Sequence, residues 1–262
     1  VWPHRPVPRL AKSELEDLHR HAEQALAFLG ILQPGQGRAQ GGPPQDVVDA
    51  LTADLDRLWE ELAQSIQQAL RESQGKTAVD PAALETLFAG FQSHFEDLLT
   101  HAVGEAIQAG VADAGEDLGE EIAFASVDPG LVQSLQQQAV ILCEATTAKI
   151  RGSVKAALVE SMRLGENLTQ TIARLQSLSS LSTYEAERIA RTELARAANA
   201  GRLQGYKGRV EKVRWVLGPT YAGGCACGDM AGVYTLAEAA GLSMPLHPNC
   251  DCLWVAEVPE AD

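Results

Sequence analysis

Two Asp-Pro pairs, at 80–81 and 128–129, constrain this chain of 262 residues more than any other feature. An aspartate caps the free N–H groups of a helix start, and a proline in the first turn has its φ preset and no N–H to leave unpaired. Each pair opens a long run with helical spacing. After Pro81, the residues Leu84, Leu87, Phe88, Phe91, Phe95 and Leu98 form one buried face. After Pro129 the pattern holds to about Leu164, some 36 residues, or roughly 54 Å at the helical rise. Upstream, Val48, Leu51, Leu55, Leu58, Leu62 and Ile66 form the apolar stripe of a helix starting near Asp46. Ser13 caps an earlier one reaching about Leu32, and QPGQGRAQGGPPQ (33–45) reads as a flexible linker. The Gly- and acid-rich AGVADAGEDLGEE (109–121) is expected to interrupt the helix that begins at Pro81, and ENLTQTIARLQSL (166–178) forms a short one. Hydrophobic residues make up 45% of the chain but aromatic ones 5%, which suits helices packed through Ala and Leu.

The pattern changes past residue 180. Ser182 and Glu185 have capping-box spacing at the start of LSTYEAERIARTELARAANAGRLQGYKGR. Ala186, Ile189, Ala190, Leu194, Ala197 and Ala198 give that helix an alanine-rich face that another backbone can approach closely, and the helix ends at the glycines around 205–208. VEKVRWVL (210–217) and CLWVAEV (252–258) read as strands joined by a loop. The fold class expected is mainly α with a small C-terminal α+β domain: an elongated body of long helices, then a helix and short antiparallel strands clasped by Cys and His. The boundaries are an acidic helical region at 1–128 and a second domain at 129–262, with the β-element at 210–258.

No stretch approaches 18 apolar residues, and the N-terminal sequence lacks the apolar core of a signal peptide, so a soluble intracellular protein is expected. The net charge of −14 is uneven: −14 over 1–128, +6 over 129–217 and −6 over 218–262. The total argues against a general nucleic-acid binder. The basic 129–217 block either touches phosphate or pairs with its acidic flanks.

Chemistry concentrates in CAC (225–227) and HPNCDC (247–252). In extended backbone, residues i and i+2 point to one side, so each cluster would present two sulfurs on one face. If the two strands pair, Cys225, Cys227, His247, Cys250 and Cys252 meet. Five thiol and imidazole donors suffice for tetrahedral zinc, although paired zinc cysteines more often stand two to four residues apart. Disulfides between the two pairs are the main rival. A catalytic thiol would need His247 as its base and a lowered pKa, and a catalytic zinc would need a carboxylate such as Asp229 or Asp251. Cys143 reads as a small core residue. No phosphate loop, nucleophile elbow or H-E-x-x-H stands out.

The order of features from residue 188 resembles a known family. RIARTELARAANAGRLQGY is followed by a strand carrying Trp215, a cysteine pair, AGVYTL, and PLHPNCDC leading into a last strand. This resembles the C-terminal domain of the phage head-morphogenesis proteins typified by the F protein of phage Mu, over roughly 130–256 and most sharply over 188–252. Arg191, Thr192 and Glu193 match the family's arginine–threonine–glutamate helix, Asn199 and Gly201 its next polar and small positions, and Trp215 the strand tryptophan. Cys227, Gly232, His247, Pro248, Cys250 and Cys252 match the cysteine–glycine–histidine frame. Where the family often has C-x-x-C, Gly224 stands at the first cysteine's place and Cys225 follows; Asp251 replaces the usual arginine.

The resemblance implies a minor capsid protein of a tailed double-stranded DNA phage. Such a protein is not an enzyme: it associates with the portal protein during procapsid assembly in the host cytoplasm and ends in the virion, in the capsid interior or at the portal vertex. The major capsid or scaffolding protein and DNA are further partners it allows, a membrane is not, and structural zinc is the cofactor expected of the cluster. A zinc-dependent nuclease or hydrolase, and a DNA-binding module at 129–217, are the competing readings. Glu187 and Arg191 have the i,i+4 spacing of a surface ion pair, the alternative use of that arginine. Arg191 and Glu193 lie about 200° apart on an ideal helix, so they are expected not to pair with each other but to tie the helix to the strands.

Overall fold

The computed structural model describes residues 42–73, 80–178, 182–218 and 225–257. The helix expected from Ser13 to Leu32 and most of the 33–45 linker lie outside them. Residues Gly41–Asp262 form one compact unit. Its elements run α1 (Gln45–Glu72), α2 (Pro81–Leu118), a 3₁₀ turn (Phe124–Ser126), α3 (Pro129–Leu164), α4 (Leu168–Gln176), α5 (Thr183–Tyr206), β1 (Lys212–Val216), α6 (Cys227–Met230), β2 (Gly232–Thr235), α7 (Leu236–Ala240) and β3 (Leu253–Ala256). The protein is mostly helical with a small antiparallel sheet near its C-terminus.

Both Asp-Pro pairs start helices as their chemistry dictates. Asp80 accepts from the Ala82 N–H at 2.9 Å and Asp128 from the Gly130 N–H at 2.8 Å. α3 ends at Gly165 in the left-handed conformation, φ 66°, the usual place for glycine after a helix. The α1 stripe from Val48 to Ile66 is buried as spaced, with Trp59 and Leu70 added to it. Cys143 is buried in α3, as a small core residue should be.

The expectation for 109–121 fails. The 109–121 stretch does not break the helix: α2 continues through it to Leu118 and stops at Gly119, φ 68°. The glycine there has another use. α2 and α5 pack backbone against backbone, and a Cβ added at Gly110 would overlap the Ala198 carbonyl of α5. On the α5 side, a Cβ at Gly201 would overlap the Ile107 carbonyl and one at Gly205 would sit 2.5 Å from Ala114 Cβ. A glycine inside a helix costs about 1 kcal/mol against alanine, an amount that close packing offsets. The acids of the stretch are used as well. Buried Arg202 donates to Asp113 at 2.6 Å and lies 3.6 Å from Asp117, and the Tyr206 hydroxyl donates to Asp117. Burial raises the Asp113 pKa even though Arg202 opposes it.

The sheet has the order β2-β1-β3, with both pairings antiparallel. β1 and β3 pair as anticipated, with Trp215 opposite Trp254. The segment between them is not the plain loop expected. It holds α6, then β2, which pairs with β1 so that Gly232 faces Trp215, then α7, opened by a Thr235–Glu238 capping box. Elements on both sides of residue 128 share one hydrophobic core, since α1, α2 and α3 contribute to it together with α5 and the strands.

Candidate metal centre

Cys227 is the first residue of α6 and is fully buried, with Cys225 two residues ahead and partly exposed. The backbone between them is not extended. Ala226 is helical, φ −60° and ψ −14°, so CAC is the entry to a helical turn and not a strand presenting two sulfurs by alternation. The turn serves the same end, because Cys225, Cys227 and His247 place their ligand atoms within 4.8 Å of one another. The Cys227 backbone N–H bonds the Cys225 sulfur and is the first cause holding that thiol below its usual range.

The second limb is a tight turn. The Cys250 N–H donates to the His247 carbonyl at 3.2 Å, and Asn249 takes a left-handed φ of 59°, which asparagine tolerates better than most residues. His247 Nδ1 donates to the Pro248 carbonyl at 2.9 Å, leaving Nε2, with its lone pair, 3.2 Å from Cys227 Sγ. A ligating histidine is characteristically oriented in this way by a bond at its other nitrogen. The Pro248 bond is also the main cause raising the His247 pKa. Cys250 Sγ lies 3.6 Å from Cys227 Sγ, and Cys227, Cys250 and Cys252 form a second, fully buried triad. Burial pushes the Cys227 and Cys252 thiols up.

The distances fit a metal better than a disulfide. An S–S bond is about 2.05 Å long, whereas the sulfurs on a tetrahedral zinc stand about 3.8 Å apart and a sulfur and a nitrogen about 3.5 Å apart. The 3.6 Å and 3.2 Å separations around Cys227 fall near the latter pair. All five cysteines are free thiols. The two triads share Cys227, so the donor set is centred on that sulfur and can hold a metal ion.

The Arg-Thr-Glu helix meets this cluster, but through different residues from those expected. Arg191 pairs with Glu187 on its own helix at 2.8 Å and reaches Gln45 at 3.3 Å; Glu193 pairs with Arg196. Neither ties α5 to the strands, because each has an oppositely charged neighbour one helical turn away. Thr192 and Asn199 make the ties. Thr192 Oγ1 accepts from the Asn249 N–H at 3.3 Å. Buried Asn199 donates to the Cys252 carbonyl at 3.1 Å and accepts from the Trp254 N–H at 3.0 Å, pairing two buried backbone groups at the start of β3. Trp215 stacks edge-on against Trp254 at 5.1 Å, and Tyr234 stacks against the same ring at 5.6 Å.

Asp229 and Asp251 lie beside the cluster in sequence, and the Asp251 carboxylate occupies the space that a side chain on Gly218 would need. Asn249 and the Arg202–Asp113–Asp117–Tyr206 network escaped the reading of the sequence. The network carries a usable signal, since Asp113 and Asp117 on α2, and Arg202 and Tyr206 on the buried face of α5, are each four residues apart. Eleven of the thirteen Lys and Arg residues in 129–217 stand within ion-pair distance of a carboxylate. No described helix is long and apolar enough to cross a membrane. A comparison of the chain with protein-family models, curated proteins and solved structures finds no match.

Proposed function

We propose that this chain is a structural head-morphogenesis protein of a tailed double-stranded DNA phage, seated at the portal vertex during procapsid assembly, and that zinc is the ion its Cys/His cluster takes. One observation carries the reading. The two halves of the sequence signature, the Arg-Thr-Glu helix and the HPNCDC limb, are in direct contact through Thr192 with Asn249 and Asn199 with Cys252 and Trp254. A signature whose halves brace one another is that of a structural module. Cys227, His247, Cys250 and Cys252, with Cys225 beside them, would hold the zinc, which supplies a cross-link between α6 and the strand limb. Such an ion contributes folding free energy directly. Most of the sulfurs are buried, which suits a fastening more than a nucleophile open to substrate. The ion pairing across 129–217 favours the portal protein, with the major capsid or scaffolding protein, over DNA as the partner of this region.

The test is co-expression with the portal protein. The reading expects the chain to purify with portal rings and procapsids to assemble defectively without it. A chain that never binds portals, with normal procapsids in its absence, contradicts it. Metal-dependent DNA cleavage that is lost in Cys250→Ser would establish the nuclease reading instead.

A further inference from the structure

We infer that the outward face of α3 is a docking surface for a second copy of this chain, lying antiparallel about a two-fold axis near residue 150. The inference stands apart from the proposed function and rests on α3 alone. One side of this helix is buried, through Leu135, Ala139, Cys143, Ile150, Val154 and Ala157. On the opposite side Ile141 is 58% exposed, Val159 59% and Met162 68%. Ile141 and Val159 are five helical turns apart and share one azimuth. They stand about 27 Å apart along the helix, so a continuous surface depends on the small residues between them. Between them Ala145, Ala148, Gly152 and Ala156 are also exposed, and a Cβ on Gly152 would meet nothing. Two helices can approach to about 8 Å over such a centre.

The order of these residues selects the occupant. Taken outward from residue 150, the face matches itself in reverse. Ala148 falls opposite Gly152 of the other copy, Ala145 beside Ala156, and Ile141 opposite Val159. A surface that fits itself under a two-fold rotation is what an isologous dimer requires. Charge agrees with the direction. Exposed Glu144 lands beside Lys155 of the second copy, on the same edge of the interface, and the rotation makes this pair twice. Parallel copies would leave Glu144 and Lys155 of the two chains about 16 Å apart along the interface, so the pair would not form. Within its own chain Lys155 meets Glu85, an acid at the border of the same face, so the lysine is already held near the helix surface.

Sedimentation equilibrium of the full chain tests the inference. The wild type is expected to dimerise. Ile141→Glu with Val159→Glu should leave a monomer at the same concentrations, with an unchanged far-UV circular dichroism spectrum because both side chains are exposed. Glu144→Lys should weaken the dimer about tenfold, and adding Lys155→Glu should restore it, a rescue that general destabilisation cannot give. A wild type that stays monomeric at its highest soluble concentration overturns the inference, as does a dimer that the Glu substitutions leave intact. A monomer whose α3 amides become protected only when a portal ring is added assigns this face to that partner, and equally overturns self-association.

Discussion

Helices α2 and α5 meet backbone to backbone, whereas the strand region is joined to α5 through the Thr192 and Asn199 side chains and is gathered on itself around a cluster of sulfurs. The helix interface consists of Gly110, Gly201 and Gly205 set among alanines, with Arg202 and Tyr206 capping its polar end. The strand region has short strands, two tryptophans, a tyrosine and five metal-capable donors. The first can be stable on packing alone because two long helices bury a continuous strip. The second buries Trp215, Trp254 and Leu253 against the helices but has only three short strands of its own, the situation in which a metal or a disulfide adds most. Damage to the first should therefore be steric and global, and damage to the second local.

The steric side of this contrast gives the largest expected effect. Gly201→Val forces a side chain into the Ile107 carbonyl and should cost about 3 kcal/mol or more in urea unfolding, at the upper end for overpacking. Gly104→Ala lies on the same long helix α2 where an added Cβ meets nothing, and should stabilise the protein by about 0.5–1 kcal/mol. Equal losses in the two variants would remove the distinction between contact glycines and incidental ones.

Asn199→Ala probes the link between the regions. It strips the Cys252 carbonyl and the Trp254 N–H of a buried partner and should cost about 2 kcal/mol. Hydrogen exchange should show the loss at β3 and the HPNCDC limb, with the α2–α5 amides unchanged. Uniform loss across all helices would mean that the two regions unfold as one.

The smallest effect is electrostatic. The Glu185 carboxyl is held at about 2 by Arg188 and, secondarily, by Lys149. A carboxyl depressed in the folded state stabilises fully above its unfolded pKa, near 4.5, and loses that contribution as pH falls toward 2. Glu185→Gln should therefore be less stable than the wild type at neutral pH, by less than about 1 kcal/mol, and indistinguishable from it near pH 2. A gap that widens on acidification would show that the carboxylate is not paired in solution.

Much of the helical architecture was legible because its signals are local. Asp128-Pro129 and Gly165 bracket α3 with an aspartate cap and a left-handed glycine, and the α1 stripe declares its own buried face. The 109–121 stretch was misread because glycine has two opposite uses, ending a helix or letting two helices touch, and the partner helix lies some ninety residues away. β2 was missed because four residues carry too little alternation to stand out. At the site, the donors were legible as residue types, but their geometry was not. Ala226 is helical where extended backbone was assumed, and the ties to α5 come from Thr192 and Asn199 and not from the charged Arg191 and Glu193. Asn199 was named through the resemblance alone; its role as a tie was also readable from the residues, since a polar residue on an alanine-rich buried face must find a partner.

Metal analysis of the purified protein, followed by hydrogen exchange before and after chelation, tests the central claim most directly. The account predicts stoichiometric zinc in the wild type and its loss in Cys227→Ser, the variant lacking the sulfur common to both triads. It also predicts that chelation deprotects β1, β3 and the HPNCDC limb while α2 and α5 stay protected. A metal-free protein whose sheet is fully protected, or one whose mass shows Cys225 and Cys227 joined to Cys250 and Cys252 by disulfides, would contradict it.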